Sequence, residues 1–121
     1  MKKLFAAFML ILLITGCSGG GSYTDVSVDE AKELIDSGEA QVLDVRTPDE
    51  FAAGHIPGAK LVPLQVIESM LSELDKEQKY LVVCRSGNRS AQASEILVEN
   101  GFKNIYNMTG GMNEWKFDIE Q

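Results

Sequence analysis

Residues Tyr80 to Val83 read "YLVV", a continuous apolar run of strand length, half of it valine. A strand with one face in water alternates apolar and polar residues, whereas this run has nothing polar for either face, so both must be covered. Parallel sheets are covered in this way, because the helices that carry the chain from one strand to the next lie across the faces.

The rest of the chain fits that demand. Tyr23 to Val26, Gln41 to Val45, Lys60 to Val62 and Asn104 to Met108 are further short strand candidates. Between them lie helix signals. Ser27-Val28-Asp29-Glu30 has capping-box form and opens a helix that Ser37-Gly38 stops; Thr47-Pro48-Asp49-Glu50 is a second box, with proline at the first helical position and Gly54 at the end. An amphipathic helix is expected from about Leu64 to Leu74, and another from about Ser90 to Glu99, apolar on Ala93, Ile96 and Leu97 and ended by Asn100-Gly101. Gly110-Gly111 introduces a short last helix carrying Trp115. Strands alternating with helices over this length predict one α/β domain, its mainly parallel sheet of about five strands covered by helices on both faces.

In such sheets ligands bind beyond the carboxyl ends of the strands. The segment at the end of "YLVV" is "CRSGNRS", Cys84 to Ser90. Small and polar residues running from a strand end into a helix start can turn successive backbone N–H groups inward as an anion-binding nest, and the helix adds the positive end of its dipole. Arg85 and Arg89 supply cationic charge, and Gly87 suits a tight or positive-φ position. These features favour the thiolate of Cys84, the nucleophilic form. The competing reading is a small buried cysteine at a strand end with two solvated arginines.

The first residues, "MKKLFAAFMLILLITGC", bear on the same thiol. Lys2 and Lys3 form a basic start, and the apolar run Leu4 to Ile14 is too short to span a bilayer but suits the core of a signal peptide. Ile14-Thr15-Gly16-Cys17 resembles the lipobox of bacterial lipoproteins. That resemblance implies cleavage after residue 16, lipidation of Cys17, and an extracytoplasmic domain anchored to a membrane; the alternative is a plain secretory signal with an incidental cysteine. Residues 17–22 then form a Gly/Ser tether with a reach of about 10 to 15 Å, and residues 23–121 the folded domain. With Cys17 lipidated, Cys84 has no partner for a disulfide within the chain. The net charge of −7 leaves no basic face for nucleic acid, so none is expected as a partner.

Spacing narrows the chemistry. Position 87 is glycine, so the C-x-x-C of disulfide oxidoreductases is missing, and Arg89 follows Cys84 after four residues, one short of the C-x-x-x-x-x-R of tyrosine-type phosphatases. The pattern present, C-R-x-G-x-R, resembles the active-site loop of the rhodaneses, a sulfurtransferase family. "DVRTPDEFAAGHIPGA" (Asp44 to Ala59) and "GFKNIYNMTGGMNEW" (Gly101 to Trp115) are similar to that family's first signature and closing segment. The similarity extends over about residues 23 to 117, and the family's proline beyond the tryptophan is replaced by "KFDIEQ".

The resemblance implies a rhodanese-like domain and a sulfurtransferase of thiosulfate:cyanide or thiol type. Cys84 would attack the sulfane sulfur of a small anionic donor such as thiosulfate, hold it as a persulfide and pass it to a thiol or cyanide, with neither metal nor cofactor. Arg85, Ser86, Gly87, Asn88 and Arg89 would bind donor and persulfide, Ser86 and Asn88 either shaping the loop or touching the donor. An alternative is a non-catalytic persulfide carrier or interaction module serving a protein relay partner, and a weaker one is phosphatase or arsenate-reductase chemistry. Outside the loop, Asp44 is expected to be structural, Arg46 to pair with Glu50, His55 to brace its turn in preference to acting as a base, and Trp115 to belong to the core.

Overall fold

The computed structural model describes residues 22–121. The expected signal peptide 1–16, the lipidated Cys17 and all but the last residue of the tether lie outside the described residues. Among the described residues no helix is long and apolar enough to cross a membrane.

Five strands, β1 (Thr24–Val26), β2 (Ala40–Asp44), β3 (Lys60–Leu61), β4 (Lys79–Val83) and β5 (Asn104–Met108), form one sheet in the order β1-β5-β4-β2-β3, with every pairing parallel. The "YLVV" strand is central, flanked by β2 and β5. Its side chains divide as the pleat requires. Tyr80 and Val82 enter a core cluster with Leu43, Ala93, Leu97 and Phe102, while Leu81 and Val83 enter a second one with Val26, Ala31, Val42 and Met108. The helices α1 (Val28–Asp36) and α4 (Asn88–Glu99) contribute to opposite clusters, so both faces of the sheet are covered.

Both capping boxes form. Ser27 Oγ accepts from Glu30 N at 3.1 Å while Ser27 N donates to Glu30 at 2.8 Å. At α2 (Pro48–Ala53), Thr47 and Glu50 make the same reciprocal pair.

Two element expectations need correction. The helix expected over Leu64 to Leu74 is instead a 3₁₀ turn (Leu64–Val66), a single α-helical turn, α3 (Ile67–Met70), and another 3₁₀ turn (Leu71–Glu73). Leu64, Ile67 and Met70 recur at intervals of three, as do Leu71 and Leu74. These residues all pack against the same core cluster, so the broken helix still presents one apolar face. Secondly, α4 begins at Asn88, two residues before the expected Ser90, because Gly87 at φ +99° turns the chain straight into the helix. Asn88 and Arg89 therefore belong to the first helical turn and not to the loop.

After α5 (Gly111–Glu114), Trp115 packs partly buried against the second cluster, and its Nε1–H donates to Asp118 O at 2.9 Å. The "KFDIEQ" tail then returns to the "GHIPGA" turn. Glu120 and His55 exchange backbone hydrogen bonds of 2.8 and 2.9 Å, Gly58 N donates to Glu120 Oε2 at 3.0 Å, and Gln121 Nε2 donates to Ala53 O at 3.0 Å.

Candidate active site

Cys84 follows β4 directly and is completely buried. The chain rises from it through exposed Arg85 and Ser86, then descends at Gly87 into α4. This path folds the loop over the sulfur. Gly87 N donates to Cys84 Sγ at 3.1 Å, and the buried Ser90 hydroxyl lies 3.3 Å from Sγ, positioned to donate once the thiol has ionised. Burial is the largest influence on this thiol and pushes its pKa up. The Ser90 hydroxyl and the backbone N–H groups of Ser90, Gly87 and Ser86 together outweigh it, so the pKa lies below the ordinary thiol value. The expected stabilisation of the thiolate by loop amides is present; the Ser90 hydroxyl joins them, and neither arginine is among the main influences on the thiol.

The loop leans on the segment between β5 and α5. Met112 N donates to Cys84 O at 2.8 Å, and Asn113 N donates to Arg85 O at 2.9 Å. A Cβ on Gly87 would stand 2.1 Å from Thr109 O, and one on Gly111 would stand 2.3 Å from Arg85 O. The two glycines let two backbones meet without side chains between them.

The two arginines of "CRSGNRS" have different surroundings. Arg85 is exposed and has no side-chain partner among the described residues. Arg89 is half-buried and held in a fork: Nη1 donates to Glu50 Oε1 at 2.8 Å and Nη2 donates to Glu50 Oε2 at 2.9 Å. The Arg89 hydrogen bonds are the main influence that brings the Glu50 carboxyl down to about 2, and Glu50 in turn raises the Arg89 pKa.

The expected pair between Arg46 and Glu50 does not form. Arg46 doubles back on Asp44, with Nε and Nη2 donating to its carboxylate at 2.9 and 2.7 Å and Nη2 donating also to Gly54 O at 2.9 Å. Both residues are buried, and a buried pair is held where its remaining polar atoms also find partners. Asp44 is structural, as expected, and Arg46 is committed to it. Ring stacking on Phe51 at 3.6 Å and a 2.8 Å contact between Nδ1 and Phe51 O fix His55 as a brace of its turn. Ser86 and Asn88 are exposed; Ser86 contributes its backbone N–H to the cradle.

Sequence reasoning missed Ser90 and the Glu50–Arg89 fork. Ser90 closes the "CRSGNRS" string, and a helix starting at Gly87 would have turned it toward the sulfur. Among the described residues no three His, Cys, Asp or Glu side chains are grouped to hold a metal ion.

The family model for the rhodanese-like domain matches residues 27–118. The chain belongs to the rhodanese-like family. This rhodanese-like domain is similar to a thiosulfate sulfurtransferase, GlpE, of Pseudoalteromonas translucida, at 33% identity over 78% of the chain and 90% of the relative. It is also 35% identical over 95 residues to a Bacillus subtilis protein named as a putative sulfur carrier, YrkF, of whose length it spans about half, 51%. A crystal structure of a rhodanese-like domain protein from Staphylococcus aureus superposes with a TM-score of 0.74 at 38% identity, covering 80% of this chain and 96% of the other. The rhodanese-like fold is thus shared across nearly the whole described region.

Proposed function

We propose that this rhodanese-like protein is a sulfurtransferase that moves a sulfane sulfur through a persulfide on Cys84. The single observation that carries this reading is the buried Cys84 sulfur, met by Gly87 N–H and the Ser90 hydroxyl and held below the ordinary thiol pKa. A neutral structural cysteine needs no such cradle.

In the first half-reaction the Cys84 thiolate attacks the outer sulfur of thiosulfate. A new S–S bond forms to Cys84, the S–S bond of the donor breaks, and sulfite leaves with the electron pair. The terminal sulfur of the persulfide is then an anion in the thiolate's place, and the loop amides that stabilised one can stabilise the other. In the second half-reaction cyanide or a thiolate attacks that terminal sulfur, and the Cys84 thiolate departs as leaving group. No external oxidant or reductant is consumed, and the kinetics are ping-pong.

Likeness to a named sulfur carrier supports a second reading, in which the persulfide is handed to a protein partner with little turnover of free thiosulfate. The lipobox-like Ile14-Thr15-Gly16-Cys17 supports lipid anchoring through Cys17 and work outside the cytoplasmic membrane, close to its surface.

The test is to incubate the full chain with thiosulfate, record the intact mass, then add cyanide and assay thiocyanate. Turnover predicts one added sulfur on Cys84 that cyanide removes, and none in Cys84→Ser. A stable adduct with negligible thiocyanate favours the carrier, and no adduct on protein first reduced, then freed of reductant and given excess thiosulfate, removes both readings. Labelled fatty acid should enter the full-length protein and not Cys17→Ala; equal labelling of both removes the anchor.

A further inference from the structure

Two arginines flank the Cys84 loop, yet only one has its charge uncompensated. Arg89 faces Glu50 across a two-bond fork, and Glu50 is itself fixed by the Thr47 N–H and hydroxyl, each at 3.1 Å. The nearby pair of Asp44 and Arg46 is likewise closed on itself. Asp49, the other acidic residue of α2, is exposed and outside the fork. Arg85 is left as the loop cation without a carboxylate partner among the described residues.

We propose that Glu50 is a positioning and specificity-determining residue: it clasps Arg89 against α2, cancels its charge, and leaves Arg85 alone to receive the anionic donor. This rests on reading the Cys84 loop as a donor site. Beside the Cys84 thiolate, the surrounding side chains then present a net charge near +1 to an approaching anion, in place of the +2 of Arg85 and Arg89 alone. A single free cation favours entry of an anionic donor without holding the anionic persulfide so tightly that the acceptor cannot take its sulfur.

The proposal is open to a test that needs no sulfur transfer. Iodoacetate and iodoacetamide are close in shape and differ in charge. Both alkylate the same thiolate, so the fraction ionised and the access to it cancel in the ratio of their rates, which reads the local potential. The ratio is measured on the full chain, with modification of Cys84 followed by peptide mass.

Arg85→Gln should lower the iodoacetate preference by about two- to fivefold, and Glu50→Gln, which frees Arg89, should raise it by a similar factor. The neutral pair Glu50→Gln with Arg89→Gln should return the wild-type ratio. A purely structural fork predicts no rise in Glu50→Gln, and that result overturns the proposal. A ratio in the neutral pair as low as that of Arg85→Gln overturns it too, since Arg89 would then be acting on anions despite Glu50. The thiocyanate assay fails or succeeds independently, so loss of the sulfurtransferase reading is not confused with loss of this one.

Discussion

The hydroxyl of Ser90 lies 3.3 Å from the sulfur of Cys84, and both residues are completely buried. Six positions of chain separate them, closed into contact by the turn at Gly87. Of the influences that lower the Cys84 pKa, the Ser90 side chain is the strongest, and it opposes burial, which acts upward. Ser90→Ala should therefore leave a thiol that ionises at higher pH. Since a hydrogen bond to a charged group is worth about 1.5–3 kcal/mol, alkylation of Cys84 near neutral pH should slow by about tenfold or more. The rate followed against pH checks this: the variant's profile should move to higher pH and reach a similar plateau, whereas an unshifted profile would mean that the amides suffice.

Gly87 is required by two separate facts. Its φ of +99° strains any L side chain, and a Cβ there would stand 2.1 Å from Thr109 O, which is backbone and cannot swing aside. Gly38, at φ +78°, has open space around it and serves as the control. Gly38→Ala should cost about 1 kcal/mol, and Gly87→Ala about 3 kcal/mol, with sulfur loading lost as the cradle opens. Denaturant unfolding separates them, and equal costs would deny that the loop packs against the segment after β5.

Much of the scaffold could be read in residues that act locally. "YLVV" carries its need for two covered faces within itself, and Ser27 with Glu30 and Thr47 with Glu50 are three residues apart, within reach as soon as the helix forms. The cradle was partly legible for the same reason, since Cys84, Gly87 and Ser90 lie on one short turn. The Glu50–Arg89 fork was not legible. Its partners are separated by 39 positions and meet only because β2 and β4 are neighbours, which brings the helix starts after them together. Arg46 was misassigned on helical spacing alone; it turns back to Asp44 two residues away, where burial makes a partner obligatory. The 3₁₀ turns are not legible because apolar residues three apart fit an α-helical face as well as a 3₁₀ one over so short a run.

The fork also predicts how stability depends on pH. The Glu50 carboxyl is lowered from 4.5 to about 2 in the folded chain, so the folded state binds its proton more weakly than the unfolded one. Its contribution is then complete above about pH 4.5 and is lost as the pH falls toward 2. By linkage, with allowance for partial exposure, it amounts to about 1–2 kcal/mol. Thermal melts of wild type and Glu50→Gln from pH 7 down to pH 2.5 should converge at the acid end. A gap that stays constant over this range would show that the charge on Glu50 is not what stabilises the fold.

His55, the one histidine of the chain, separates a brace from a base. Its Nδ1 lies 2.8 Å from Phe51 O, its ring is stacked on Phe51, and its backbone pairs with Glu120 in the returning tail. The Cys84 sulfur meets Gly87 and Ser90 and not this ring. A thiolate already held by amides has no proton for a base to take at the moment of attack. His55→Ala should therefore lower Tm, by an amount equivalent to about 1–3 kcal/mol for the lost packing and hydrogen bond. It should leave the shape of the pH profile for kcat/KM of sulfur transfer unchanged. A general base would instead contribute about a hundredfold or more to the rate and place its own inflection on that profile. Loss of that size in a variant that remains folded, with the acid limb of the profile abolished, would return His55 to the catalytic machinery.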